Sequence, residues 1–215
     1  MSNLILASAS PRRQELLGRI GLKFDVRPSR INEERYRDLP PGTRVEALAL
    51  AKARAAAAEV MAPSLKTAGG QVKTRAVPDT PIGTLILGAD TLVVCQGQVL
   101  GKPASPADAA AMLTFLSGRR HNVYTGVAVV RVPGEEARVT HARTAVTFRR
   151  LTPDQIAAYV ATGEPLDKAG AYGIQGRGAL LVAGIQGDYF NVVGLPLVKV
   201  EELLAAFGVD VWGRL

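Results

Sequence analysis

The order of apolar and polar positions along the chain sets out its elements. Leu4–Ala7 is an unbroken apolar run that predicts a short buried strand, too brief to alternate. Ser10-Pro11 predicts a helix start, because serine is a favoured N-cap and proline is already shaped for the first helical position. Leu16, Leu17 and Ile20 give that helix an apolar face, and Gly21 stops it. Phe24 and Val26 alternate with polar neighbours, so Lys23–Arg27 predicts a second strand. A polar, proline-containing loop follows to Gly42. Thr43-Arg44-Val45-Glu46 has the form of a capping box and predicts the start of a long Ala/Leu-rich helix running to about Val60.

Leu85–Ala89 predicts a short apolar strand, and Val93–Cys95 with Val99–Leu100, joined through Gln96-Gly97, predicts a hairpin. Ser105-Pro106-Ala107-Asp108 opens a capped helix that Ser117-Gly118 closes. Asn122–Val132 and Ala137–Arg149 predict a longer hairpin about Pro133-Gly134. Thr152-Pro153-Asp154-Gln155 caps another helix, and after a glycine-rich stretch a last helix is predicted around Val198–Phe207. Strands and helices alternate, but the two hairpins exclude an all-parallel sheet, so the fold class is mixed α/β. Between Met61 and Gly83 the sequence turns to Pro, Gly, Thr and Lys. This predicts a flexible insertion inside one domain covering residues 1–215, because apolar structure resumes at once beyond it.

Composition adds bounds to this pattern. With 215 residues, 47% hydrophobic and 21% charged, the chain has the apolar content for a real core. No apolar run approaches the ~20 residues of a membrane-crossing helix. Met1-Ser2-Asn3 carries no basic stretch or cleavage site, and the one cysteine, Cys95, lies in an apolar run that suits packing. A cytoplasmic location is expected. The net charge of +7 suits a phosphate-bearing partner, nucleotide or nucleic acid, or else basic residues scattered over a solvated surface. Aromatic residues, at 5%, do not interleave with the basic ones, which weakens the case for a stacking platform for single strands.

Candidate chemistry falls in three stretches. Ser8-Ala9-Ser10-Pro11-Arg12-Arg13 places two hydroxyls and two guanidiniums at a predicted strand-to-helix turn, where the first helical amides are unpaired. Helix starts favour acidic side chains, so arginines there fit an anion site; a plain cap with surface arginines is the alternative. Gly88-Ala89-Asp90-Thr91 falls at the predicted end of the Leu85–Ala89 strand, where open α/β sheets hold their ligands. Asp90 is a candidate general base, metal ligand or both, or else part of an Asp-Thr turn. Gly97 to Gly101-Lys102 is one residue short of a Walker loop and Pro103 replaces its Ser/Thr, which leaves Lys102 as an isolated phosphate-binding candidate. The third stretch runs from Asp167 to Gly176. Its glycines let backbone approach a ligand and the Gln175 amide can read a base edge; a surface glycine loop is the alternative. Leu181 breaks any dinucleotide fingerprint begun at Gly176-Arg177-Gly178. Lys52 interrupts the Ala/Leu helix, where a solvated or snorkelling side chain is the ordinary expectation. His121 and His141 lack metal-ligand spacing and are assigned to structure.

Together these stretches resemble the Maf family of nucleotide pyrophosphatases, the septum-formation-inhibitor-like proteins, from Leu4 to about Leu204. The matching pieces are Leu-Ala-Ser-x-Ser-Pro-Arg-Arg-x-Glu-Leu-Leu from Leu6 to Leu17, Leu48-Ala49-x-x-Lys52-Ala53, Gly88-Ala89-Asp90-Thr91, Gly101-Lys102-Pro103 and Asp167-Lys168-Ala169-Gly170, in that order. The resemblance implies a mixed, twisted central sheet with flanking helices and two lobes around a cleft, in the broad group of inosine triphosphatases. It implies hydrolysis of a nucleoside triphosphate between its α- and β-phosphates, giving a monophosphate and pyrophosphate. Asp90 is then the catalytic proton acceptor. Arg13, Thr91 and Gln175 fall where the base is selected. Ser8, Arg12, Lys52 and Lys102 fall where phosphates are contacted, and Asp167 and Lys168 join the substrate-binding set. Glu33 and Asp90 occupy the metal position, and the implied cofactor is a divalent cation, Mg2+ first, with Mn2+ or Co2+ as alternatives. Asp-Lys-Ala-Gly-x-Tyr-Gly-Ile-Gln-Gly resembles the branch acting on dTTP and UTP, modified pyrimidine nucleotides included, and not the branch associated with 7-methyl-GTP. Asn32 departs from the aspartate usual before Glu33, and the stretch 61–83 is longer than usual. The implied partner is a nucleoside triphosphate without a membrane, and a homodimer is compatible with it. The rival expectation is a nucleic-acid-binding regulator of cell division without turnover, whose retention on DNA would fall steeply with salt.

Overall fold

Apolar runs and turn residues become strands and helices in the computed structural model, which describes residues 4–62, 65–68, 71–74, 83–134 and 136–213. The strands are β1 (Leu4–Leu6), β2 (Phe24–Val26), β3 (Leu65–Ala68), β4 (Gln71–Thr74), β5 (Thr84–Cys95), β6 (Gln98–Leu100), β7 (Arg120–Val132), β8 (Ala137–Phe148) and β9 (Val182–Gln186). The helices are α1 (Pro11–Arg19), α2 (Pro41–Met61), α3 (Pro106–Leu116), α4 (Pro153–Val160), α5 (Tyr189–Val193) and α6 (Leu197–Ala206). Short 3-10 turns stand at Glu33–Tyr36, Glu164–Asp167, Ala169–Ala171 and Gly176–Leu181.

Seven strands form one mixed sheet in the order β2-β1-β5-β7-β8-β9, with β6 also on β5. β1 lies parallel to β2 and β5, while β7, β8, β9 and β6 run antiparallel to their neighbours. The expected mixed α/β class is therefore observed. The strand expectations change at one place: Leu85–Ala89 and Val93–Cys95 are not separate strands but the two ends of β5, so Asp90 lies mid-strand. Alternation of apolar residues was masked because both faces of β5 are covered, and every residue from Thr84 to Asp90 is buried.

On one edge of β5, β1 pairs only with Leu85–Leu87 and β6 only with Val93–Cys95. The edge between them carries no strand. This break separates two lobes. In one, Leu16 and Leu17 of α1 and Leu203 and Leu204 of α6 pack on Leu85, Leu87 and Ala89. In the other, Leu113 and Leu116 of α3 and Ile156 and Tyr159 of α4 pack on Val93, Val123 and Val146.

The opposite face of the sheet carries α2. Val45, Leu48, Ala49, Ala53, Ala56 and Ala57 are its buried residues, a stripe at helical spacing made mostly of alanine. The small stripe meets two glycines. A Cβ at Gly88 would stand 2.1 Å from the Ala49 carbonyl oxygen, and one at Gly126 would stand 2.2 Å from that of Val45. Helix backbone thus lies directly on the strands, which fixes the height and rotation of α2. The helix starts at Pro41, two residues before the expected capping box, with Pro40 at the N-cap. Glu46 instead accepts a 2.7 Å bond with His141 Nδ1 across the sheet. Ser10 occupies the N-cap of α1 as expected, but its side chain makes no capping bond. The stretch 61–83, expected to be a flexible insertion, contains the two-stranded antiparallel ladder β3–β4; residues 63–64, 69–70 and 75–82 lie outside the described residues. Among the described residues no helix is long and apolar enough to cross a membrane.

His121 is structural, as expected. It is buried between the rings of Phe148 and Tyr172, and its Nε2 lies 2.7 Å from the Tyr172 hydroxyl. Burial pulls its pKa down to about 4, against the opposing effect of a backbone hydrogen bond at Arg119. The unfolded chain takes up this proton near pH 6.5, and the native state only near pH 4. The stabilisation is therefore complete above pH 6.5 and declines as pH falls from 6.5 to 4, by about 3 kcal/mol in all. Urea unfolding at steps between pH 7.5 and 4.5 should show this slope, and His121→Gln should flatten it relative to the parent.

Candidate active site

The break in β5 leaves peptide groups that need partners, and the side chain of Arg13 supplies one. Its Nη1 donates to the Ala89 carbonyl at 2.9 Å and to Ser8 Oγ at 3.1 Å. Its Nη2 donates to Thr91 Oγ1 at 3.1 Å, and its Nε to the Gly194 carbonyl at 2.9 Å. Four of the five guanidinium N–H groups are thereby used within the protein. Burial draws the Arg13 pKa down and the Asp90 charge opposes this. The α1 turn brings Ser8 and Arg13 here because only four residues lie between the end of β1 and Pro11, which starts the helix.

Successive residues of β5 face opposite sides, so Thr91 joins Arg13 on the α1 side and Asp90 points under α2. There the ammonium of Lys52 lies 2.6 Å from Asp90 Oδ1 and 2.8 Å from Glu33 Oε1. Lys52 is four residues after Leu48 and four before Ala56, so it belongs to the buried stripe of α2. Of the two ordinary expectations for it, solvated or snorkelling, the solvated one is not what forms: only 16% of the side chain is exposed. Asn32 explains the position of Glu33. Its side chain accepts from the Glu34 amide at 3.1 Å and caps the 3-10 turn that carries Glu33, so the carboxamide is spent on backbone. Glu33 and Asp90, two hard oxygen donors on one ammonium, suit a small divalent ion that keeps water and phosphate as its other ligands. Among the described residues no group of three or more His, Cys, Asp or Glu forms a closed metal cage.

A third cluster faces the break from the other lobe. Arg12 Nη2 makes a two-point contact with Asp167 at 3.0 and 3.1 Å. Lys168 reaches the same carboxylate at 2.7 Å and the Glu164 carbonyl. Partial burial raises the Asp167 pKa, but the hydrogen bonds and charges of Lys168 and Arg12 outweigh it, and the value ends below the ordinary one. The Gly170 amide donates to the Gly101 carbonyl at 2.9 Å, which sets the exposed Lys102 loop beside this segment.

The glycine-rich stretch is not a loose surface loop. The Glu164 carboxylate accepts the amides of Arg177 and Gly178, and the Tyr159 hydroxyl accepts the amide of Gly173 at 3.2 Å. Burial pushes the Tyr159 pKa up to about 12. The tied loop encloses a cavity of about 210 Å3, lined by Arg12, Lys168, Gly173, Gln175, Val192 and Val193 among others. Gln175 is half-buried there, and its side-chain amide makes no hydrogen bond among the described residues.

The structure therefore gathers Ser8, Arg13 and Thr91 in one group, Glu33, Lys52 and Asp90 in a second, and Arg12, Asp167, Lys168 and Gln175 in a third, all at the break; Lys102 is adjacent through its loop. Sequence reasoning missed Thr125 and Asn191, which lie behind Thr91. Their one signal was a polar residue set in an apolar run, Asn191 within Tyr189–Val193.

Fold and site define an α/β protein with a cationic cleft where the central sheet is interrupted, flanked by two carboxylates. The chain belongs to the Maf family: the profile of "Maf-like protein" matches residues 3–207. It is 71% identical over 214 residues to a dTTP/UTP pyrophosphatase of Moorella thermoacetica, covering 100% of both chains. It is 50% identical over 212 residues to a dTTP/UTP pyrophosphatase of Symbiobacterium thermophilum, covering 99% of this chain and 97% of that one. Among solved structures, a HAM1 protein from Coxiella burnetii aligns over 96% of this chain and 100% of its own, with a TM-score of 0.46 and 15% identity.

The role of Arg13 in closing the break has a direct consequence. Lysine presents a point charge in place of a planar fork and cannot reach four acceptors on different segments. Arg13→Lys should lower unfolding stability by ~2–4 kcal/mol, measured by denaturant titration, because buried acceptors are left bare.

Proposed function

We propose that this chain hydrolyses nucleoside triphosphates between the α- and β-phosphates, with dTTP and UTP as preferred substrates. The observation that carries this reading is the Glu33–Lys52–Asp90 cluster at the mouth of the break in β5. It sets a carboxylate and a fixed ammonium beside further cations. Phosphoryl chemistry asks for that combination, because it needs positioning and charge stabilisation more than covalent catalysis. The relatives named dTTP/UTP pyrophosphatase match this chain along its full length, which supports the choice of substrate.

In this reading the triphosphate enters over the Ser8–Arg13 turn. The Ser8 hydroxyl and the first amides of α1 take phosphoryl oxygens, while Lys52, Lys102 and Arg12 offset their charge. Arg12 exchanges Asp167 for phosphate. Asp90 accepts a proton from water as the water oxygen bonds to the α-phosphorus. The bond from the α-phosphorus to the bridging oxygen breaks, and pyrophosphate leaves with that oxygen. Glu33 and Asp90 would hold a divalent cation, Mg2+ in the first instance, and such an ion adds electrophilic stabilisation of the phosphates when bound. The base lies in the cavity beside Gln175, whose amide offers a donor and an acceptor to a uracil or thymine edge.

Two measurements test this. Asp90→Asn should keep nucleotide binding and lose at least ~10²-fold in kcat, since the group that takes the proton is gone. In a panel of triphosphates at equal sub-saturating concentration with magnesium, UTP and dTTP should release pyrophosphate ahead of CTP, ATP and GTP by about ten- to hundred-fold in kcat/KM. Orthophosphate release, or a purine as best substrate, would contradict the reading.

A further inference from the structure

We infer that Thr125 is a specificity-determining positioning residue, which fixes the proton of Thr91 so that Thr91 meets a ligand only as a hydrogen-bond acceptor. This deepens the proposed function and rests on it. A hydroxyl has one proton and two lone pairs, so its remaining valence can be counted once its partners are known.

The count starts at Asn191 on α5. Its side-chain amide donates to the Val123 carbonyl at 3.0 Å and to Thr144 Oγ1 at 2.8 Å, and Thr144 in turn donates to the Asp188 carbonyl at 2.8 Å. These bonds are buried and hold Asn191 in place. Its backbone carbonyl accepts the proton of Thr125 Oγ1 at 2.9 Å. Thr125 is fully buried on β7, directly opposite Thr91 in the ladder. The two hydroxyl oxygens are 3.0 Å apart. Since the Thr125 proton is already given to Asn191, the proton between them comes from Thr91. Thr91 Oγ1 also accepts from Arg13 Nη2 at 3.1 Å. One lone pair is all that Thr91 has left.

The same guanidinium sets Ser8 the opposite way. Ser8 Oγ accepts from Arg13 Nη1 at 3.1 Å and from the Ser10 amide at 3.3 Å. Both lone pairs are used and its proton is free to donate, as an anionic oxygen requires. Two hydroxyls on one arginine thus have opposite polarity: Ser8 donates and Thr91 accepts.

Thr91 is half-buried and does not itself line the base cavity, but it lies next to the segment that does. Val192 and Val193 line that cavity, and a Cβ on the next residue, Gly194, would lie 3.6 Å from Thr91 Oγ1. A base reaching past Gly194 would meet an acceptor there suited to the imide N–H of uracil or thymine, which leaves the Gln175 amide to donate to a ring carbonyl. Cytosine offers a bare ring nitrogen at the same point, so two lone pairs would face each other. Removing the Thr125 hydroxyl frees the Thr91 proton to turn toward the ligand, and the discrimination relaxes.

The test measures pyrophosphate release from UTP and CTP, as kcat/KM, for the parent, Thr125→Ser and Thr125→Val. Thr125→Ser keeps the hydroxyl and should keep the UTP-to-CTP ratio. Thr125→Val keeps the branched shape and should lower the ratio by ~10-fold, with CTP gaining on UTP. A ratio in folded Thr125→Val within about two-fold of the parent overturns the inference and leaves the pyrophosphatase reading standing. A parent protein that cleaves CTP as fast as UTP overturns the base preference underneath it. Should Thr125→Val not fold, Thr91→Val takes its place; it deletes the lone pair, so the preference should collapse, and its survival would overturn the inference.

Discussion

A strand in a protein interior cannot leave its peptide groups bare, and β5 has a stretch of edge with no strand beside it. β1 is too short to reach that stretch and β6 begins beyond it. A third strand there would complete the sheet and abolish the cleft. The chain instead spends a guanidinium, which satisfies the Ala89 carbonyl without filling the opening. Arginine suits this task because its planar fork reaches several acceptors at fixed angles. Ser8, Thr91 and the Gly194 turn take their positions from the same group, so the location of the site and the closure of the sheet are one fact.

The cations of the cleft already have counter-charges, but the pairs differ in what an arriving anion can do to them. Arg12 and Asp167 are 29% and 64% exposed, and a pair so open to water is worth ~0–1 kcal/mol. It exchanges readily. Lys52 and Asp90 are 16% and 10% exposed, and separating a pair at that depth costs several kcal/mol. The ammonium is therefore the harder of the two to draw from its carboxylate. This gives one mobile cation and one fixed cation on opposite sides of the same opening.

Much of the fold was legible in the sequence because its signals are local. Pro11, Ser105 and Thr152 mark helix starts, and Gly21 and Gly97 mark turns, through backbone preferences that need no tertiary partner. The start of α2 was misplaced because Glu46 met a residue 95 positions away, His141, in place of a nearby amide. β5 was read as two pieces because burial on both faces erases alternation. Of the site, the charged residues were legible by their own chemistry and by family resemblance. Their division between two faces of β5 was not, since it depends on Asp90 and Thr91 being neighbours in a continuous strand. Thr125 and Asn191 stayed invisible because a polar residue inside an apolar run says nothing of which hydroxyl it will meet.

The contact of α2 with Gly88 and Gly126 bears on how the cleft can move. Packed helices usually slide past one another by an ångström or two, with side-chain rotamers absorbing the shift. Here the helix carbonyls of Val45 and Ala49 rest where a methyl group would be, so at these two points no side chain lies between helix and strand to take up a displacement. Helix and sheet are thus in backbone contact at Gly88 and at Gly126, the ladder partner of Asp90, close to the Lys52–Asp90 pair. The far bank of the cleft is held differently: there the Lys102 loop and the Asp167–Gly176 segment are joined to each other through Gly101 and Gly170.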